Sequence, residues 1–125
     1  MTKKLLLIED TLEALENLRD LLTMEGFEVI TATNGDEALY KLYLYTPDLI
    51  ITDLRMPKMD GFAFIEKVKK TDDLKSIPII VFSANATPEN QQQSLDLGAA
   101  LFLKKPCPTE ILLESIHNIL GSKAG

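Results

Sequence analysis

The chain is short of the residues that would tie it to an oxidising, membrane or nucleic-acid setting. It has one cysteine, Cys107, so no internal disulfide can form and a reducing compartment fits. No apolar run approaches the roughly 20 residues of a membrane span. The apolar stretch at residues 5–8 is too short for a secretory leader and runs straight into two acids. Lys and Arg number 13 against 19 Asp and Glu, a net charge of −6, which argues against broad binding to a phosphate backbone. Internal repeats, low-complexity tracts and Pro/Gly/Ser-rich linkers are absent from the sequence. The single histidine, His117, has no acidic pattern beside it and is a weak phosphotransfer candidate. These gaps point to a cytoplasmic protein with no direct nucleic-acid partner and no membrane partner. At 125 residues the chain can bury one good core but not two. Residues 1–121 are expected to form one domain and 122–125 a flexible tail.

What is present is an alternation. Residues 5–8 are a short continuous apolar run, the mark of a strand covered on both faces. Residues 11–24 carry helical spacing at Leu15, Leu18 and Leu22, with Gly26 as the stop. Residues 27–32 read as a second strand. Asn34 then caps a helix with Glu37 as its capping-box partner and Ala38, Leu39 and Leu42 inward. Residues 49–52 read as a third strand, and residues 61–70 as a helix with Phe62, Ile65 and Val68 inward. The fourth strand spans 77–82, where Pro78 is tolerable only at the start. Thr87 and Pro88 open a helix that Gly98 closes. A short fifth strand at 100–103 leads to a last helix opened by Pro108 and Thr109. Five strand–helix units imply a five-stranded parallel sheet with helices on both faces, a doubly wound, flavodoxin-like α/β fold.

Ligands in such folds gather outside the carboxyl ends of the strands. There this sequence places Glu9 and Asp10 after strand one, Asp53 after strand three, Ser83 and Ala84 after strand four, and Lys104-Lys105-Pro106 after strand five. Each has an ordinary explanation alone. An acidic pair is favoured at a helix N-terminus, a serine caps a turn, and lysines are commonly surface charges. Together they put three carboxylates, a hydroxyl and an ammonium on one edge. Carboxylates so crowded repel and call for neutralisation, which a hard divalent cation such as Mg²⁺ supplies. A carboxylate can also act as a nucleophile and form an aspartyl-phosphate, with a metal and a lysine stabilising the moving charge.

The stretches LLLIEDT, DLIITDLRMPKMDG, PIIVFSA and GAALFLKKP, in this order and spacing, closely resemble the receiver domain of two-component response regulators over residues 4–120. The resemblance implies a chemotaxis-regulator-like, single-domain receiver that takes a phosphoryl group from a phosphohistidine onto Asp53, with no output domain of its own. It implies Mg²⁺ as cofactor, with Mn²⁺ able to substitute. Asp10 and Asp53 would hold the metal together with the backbone carbonyl of Arg55, and Glu9 would contribute through water. Lys105 would pair with a phosphoryl oxygen, Ser83 would swing toward it, and Phe102 would be the switch aromatic. The Lys105–Pro106 bond is expected to be cis. The implied partners are a sensor histidine kinase or histidine phosphotransfer protein, docking near Thr11, Ala14 and Pro106, and a downstream target reading the fourth helix, fifth strand and fifth helix. Beyond slow loss of its own phosphate, no metabolic turnover is implied.

Two rival classes fit less well. A phosphohydrolase of the haloacid dehalogenase type needs an acid two residues after its nucleophile, and Arg55 stands there. A nucleotide or flavin binder needs a glycine-rich phosphate cradle after strand one, where Glu9 and Asp10 stand instead. On the second helix, Tyr40, Tyr43 and Leu44 leave the apolar face. They read as isolated exposed residues, the alternative being a homodimer or partner surface. Arg55 and Asn85 occupy the family's two variable positions beside the phosphoryl site. Substituting either is expected to change the lifetime of an aspartyl-phosphate more than its rate of formation. Unchanged hydrolysis rates in both variants would refute this.

Overall fold

The computed structural model of the chain describes residues 2–121, so the tail expected at 122–125 lies outside the described residues. The elements alternate as β1 (Lys4–Ile8), α1 (Leu12–Met24), β2 (Glu28–Ala32), α2 (Gly35–Tyr45), β3 (Leu49–Thr52), α3 (Gly61–Lys70), β4 (Ile79–Ser83), α4 (Pro88–Leu97), β5 (Leu101–Lys104) and α5 (Thr109–Gly121). The five strands form one parallel sheet in the order β2-β1-β3-β4-β5, the expected doubly wound fold. Among the described residues no helix is long and apolar enough to cross a membrane.

The apolar runs explain which strands are central. β1 and β3 are buried along nearly their whole length, and their side chains alternate between two cores. Leu6, Ile8 and Ile50 join Phe64 and Val68 of α3 in one core. Leu5, Leu7, Leu49 and Ile51 join Leu15 and Leu22 of α1 and Ile116 of α5 in the other. The outer strands β2 and β5 are only half-buried, as the edges of a sheet must be. In register, Ile8 lies beside Thr52, Thr52 beside Val81, and Ser83 beside Lys104. The carboxyl ends of β1, β3, β4 and β5 therefore finish on one edge.

Strand limits shift from the expected ones by one or two residues: β2 begins at Glu28, β4 runs Ile79–Ser83 and β5 runs Leu101–Lys104. Strand ends are set by pairing with neighbours, which a local pattern does not contain. Asn34 caps α2 as expected, its Oδ1 accepting from the Glu37 N–H at 2.8 Å. The Glu37 carboxylate, however, reaches one residue further back, to the Thr33 N–H at 2.6 Å. Thr87 caps α4, accepting from the Asn90 N–H at 3.1 Å.

The inward face of α3 differs more. Gly61, Phe64, Ile65 and Val68 are its buried positions, and Phe62 is only partly covered. Gly61 sets this rotation. The Asp60 side chain caps the helix by accepting from the Ala63 N–H at 2.9 Å, and the Gly61 N–H donates to the Leu54 carbonyl at 2.9 Å. That presses the first turn against the chain just after β3. A Cβ at Gly61 would stand 2.6 Å from the Asp53 carbonyl oxygen and 2.7 Å from the Leu54 Cα. Helical periodicity then carries positions 64, 65 and 68 inward. Both obstructing atoms are backbone, so Gly61→Ala is expected to destabilise by about 1–3 kcal/mol. Urea unfolding measures this. An unchanged midpoint would show that α3 can slide off the loop.

Candidate functional site

The site is built from strand ends. Asp53 follows β3, and its N–H donates to the Ile8 carbonyl at 3.2 Å. Its own carbonyl accepts from the buried Thr52 hydroxyl at 2.9 Å. The side chain turns back over the loop. Oδ1 accepts from the N–H of Leu54 at 2.6 Å and from that of Arg55 at 3.3 Å. Oδ2 accepts from Lys105 Nζ at 3.3 Å. Between Asp53 and α3 the chain makes a tight excursion in which Lys58 adopts the left-handed conformation, φ 71°.

Lys105 follows β5. Its N–H donates to the Ser83 carbonyl at 3.0 Å, and the bond to Pro106 is cis, as expected. Its ammonium stands 5.1 Å from the centroid of the Phe82 ring and donates to Glu9 Oε1 at 2.7 Å. Oε2 of the same glutamate accepts from the Thr11 N–H at 3.2 Å. Glu9 and Asp53 thus share one lysine, with their side chains only 12% and 14% exposed.

These contacts fix the charges. Burial pushes the Asp53 carboxyl up. The Ser83 hydroxyl, the Lys105 ammonium and the N–H groups of Arg55 and Leu54 together outweigh burial and hold it below its ordinary 3.8. Burial pushes the Lys105 ammonium down, but the bond to Glu9 and the charges of Asp53 and Glu9 raise it above 10.5. At neutral pH, Asp53 is an ionised carboxylate facing a cation.

The expectation that three carboxylates meet is only partly met. Glu9 and Asp53 converge on Lys105, while Asp10 is exposed and lines an open cleft with Arg55 and Asn85. Arg55 and Asn85 also line the cavity, about 240 Å³, that holds Asp53, Ser83 and Ala84. Among the described residues no three His, Cys, Asp or Glu side chains gather into a ready metal cage. Magnesium does not need one, because it binds one or two carboxylates and keeps several waters. The donors at hand, the Asp10 and Asp53 carboxylates and backbone oxygen, are hard oxygens and fit that ion.

Ser83 is buried at the end of β4, its Oγ accepting from the Asn85 N–H at 3.1 Å. Phe102 pairs in register with Val81 and packs partly buried on the α3 side. Thr11, Ala14 and Pro106 are exposed. Tyr40 and Tyr43 are each 65% exposed and Leu44 55%, as expected of residues off the apolar face of α2. His117 packs against Phe27, ring centroids 5.6 Å apart. Phe82 escaped the sequence reading, because within a strand it looks like any other apolar residue.

A profile of the response regulator receiver domain matches residues 5–117. The chain is 35% identical to a protein named probable transcriptional regulator ycf29 of Pyropia yezoensis over 97% of its own length, spanning 54% of that protein. It is 36% identical to a gliding motility regulatory protein of Myxococcus xanthus but spans only 15% of it. It is 31% identical to the polar-differentiation response regulator DivK of Brucella anthropi, covering 97% of this chain and 98% of that one. Among solved structures, the receiver domain of a signal transduction histidine kinase from Syntrophus aciditrophicus superposes with a TM-score of 0.90 at 35% identity, covering 97% and 92% of the two chains. The chemotaxis protein CheY4 of Vibrio cholerae gives 0.90 at 33%, covering 96% and 100%.

The ion pair yields a signed expectation. The stability that depends on ionised Asp53 is present above the unfolded value near 3.8 and is lost as pH falls through the lower folded value. Lys105→Ala removes the opposing cation, so the Asp53 midpoint, followed by carboxyl-carbon NMR, should rise. A midpoint unmoved by the substitution would mean that the pair does not form in solution.

Proposed function

This chain belongs to the response regulator receiver domain family, and from that premise we propose that Asp53 is its phosphoacceptor. Phosphorylation by a kinase is the general function of the family, and its receivers are generally Mg²⁺-dependent. In this reading the Asp53 carboxylate attacks the phosphorus of a partner's phosphohistidine. The O–P bond forms as the donor's N–P bond breaks, and the imidazole leaves. The observation that carries the proposal is the setting of Asp53: ionised, half-buried, oriented by two backbone N–H groups and faced by Lys105. A nucleophile held that way loses little freedom when the donor arrives.

The other residues take supporting parts. Lys105 would exchange its contact with Asp53 for one with a phosphoryl oxygen. Bound Mg²⁺, or Mn²⁺ in its place, would neutralise charge on the transferring oxygens, held by Asp10, Asp53 and the Arg55 carbonyl, with Glu9 acting through water. Ser83 would turn its hydroxyl to the new group, and Phe102 would follow it inward. That change biases an existing equilibrium between two forms of the α4, β5 and α5 surface, with a coupling of about 1–3 kcal/mol. Receiver domains interact with kinases and downstream targets. Here the exposed Thr11, Ala14 and Pro106 beside the site would meet the sensor kinase or histidine phosphotransfer protein.

Intact mass after incubation with Mg²⁺ and a small acyl-phosphate donor tests the proposal. The expected result is one added phosphoryl group, absent in Asp53→Ala and absent with a chelator. A phosphoryl group retained in Asp53→Ala would assign the acceptor elsewhere.

A further inference from the structure

The loop from Ala84 to Thr87 forms one wall of the cavity that holds Asp53, and its position is set from α4. Asn85 is held at both of its peptide groups. Its N–H donates to Ser83 Oγ at 3.1 Å, and its carbonyl accepts from Asn90 Nδ2 at 3.1 Å. The next carbonyl, that of Ala86, accepts from Gln91 Nε2 at 3.0 Å. A carbonyl oxygen can only accept, so both side-chain amides must present their NH₂ groups to the loop.

Neither bond is needed to start the helix. Thr87 already caps α4, its hydroxyl accepting from the Asn90 N–H and its carbonyl from the Gln91 N–H at 3.0 Å. Nor is this the default behaviour of an amide on this surface. Gln92, on the same turn, donates along the helix to Asp96 at 2.8 Å. Two consecutive residues of a polar helix instead reach backward to adjacent loop carbonyls. A continuous chain of hydrogen bonds thereby joins the first turn of α4 to the hydroxyl beside Asp53.

We propose that Asn90 and Gln91 are positioning residues that hold the loop at residues 84–87, and with it Asn85, against the phosphoryl site, and so set how long the phosphoryl group survives. The lifetime part rests on Asp53 being the phosphoacceptor; the positioning part does not. With the loop pinned, Asn85 stays over the site and limits the approach of water. With it released, the wall opens and hydrolysis quickens. A phosphoryl group that draws on Ser83 would in turn disturb the bonds that tie Ser83 to Asn85 and Asn85 to Asn90.

Asn90→Asp and Gln91→Glu test this with almost no change of shape. A carboxylate cannot donate, so each loses its loop bond. An acid in the first turn suits the helix N-terminus, so the fold should be kept. Gln93→Glu, at an exposed position of the same helix, controls for added charge. Two readouts are compared. Amide hydrogen exchange at residues 84–87, without phosphate, should quicken in the first two variants and not in the third. The half-life of the aspartyl-phosphate, followed by intact mass, should fall about threefold to tenfold in the first two, the span of one neutral hydrogen bond, and not in the third. Unchanged exchange in both test variants, or an equal change in Gln93→Glu, would overturn the positioning role. Changed exchange with an unchanged half-life would overturn the link to lifetime. A wild-type chain that never gains a phosphoryl group on Asp53 would sink the acceptor assignment, and the exchange measurement would still decide the positioning claim.

Discussion

A lysine ammonium stands between two mostly buried carboxylates, and the site depends on that arrangement. Glu9 and Asp53 come from neighbouring strands and would repel each other if nothing opposed them. Lys105, 2.7 Å from one and 3.3 Å from the other, opposes that repulsion and helps hold the Asp53 carboxyl below its ordinary value. It reaches them from β5, two strands from β3 in the order of the sheet. The Phe82 ring beneath it and the Ser83 carbonyl behind its N–H fix the direction of approach. Removing one partner of such a group leaves the remaining charge uncompensated, which is why the ion pair constrains the sheet edge as well as the chemistry.

The sheet makes this meeting possible through parallel pairing alone. In the order β2-β1-β3-β4-β5, all strands point the same way, so residues far apart in sequence end side by side. The loop after β3 adds a second constraint. Gly61 packs against the backbone at Asp53 and Leu54, and this contact sets both the rotation of α3 and the path of the loop. Packing and site are thus joined at one glycine. A change made there for stability would be felt at Asp53, and hydrogen bonding from the Leu54 and Arg55 N–H groups transmits it.

Much of this was legible beforehand, for identifiable reasons. β1 and β3 are covered on both faces, so their sequences are unbroken apolar runs that end in polar groups. Thr87 with Pro88, and Asn34 with Glu37, announce helix starts through local hydrogen bonding. Where a residue's fate depends on a distant neighbour, the reading was coarser. Phe62 and Phe64 are equally apolar, and only the close approach at Gly61 puts Phe64 inside. Glu9 and Asp10 look alike as a pair, yet the first turns toward Lys105 and the second to the open cleft. The amides of Asn90 and Gln91 carried no signal at all, since Asn and Gln on a polar helix ordinarily face water.

The sequence by itself determined the five strand–helix units, the parallel sheet they require and the identity of the polar groups at its edge. These follow from periodicity, capping and the direction of the strands, which are local properties of the chain. The tertiary structure alone decided which carboxylate the lysine holds, which face of α3 is buried and how α4 reaches the wall of the site. Those depend on distances between side chains from different elements, and such distances are fixed only when the elements pack together.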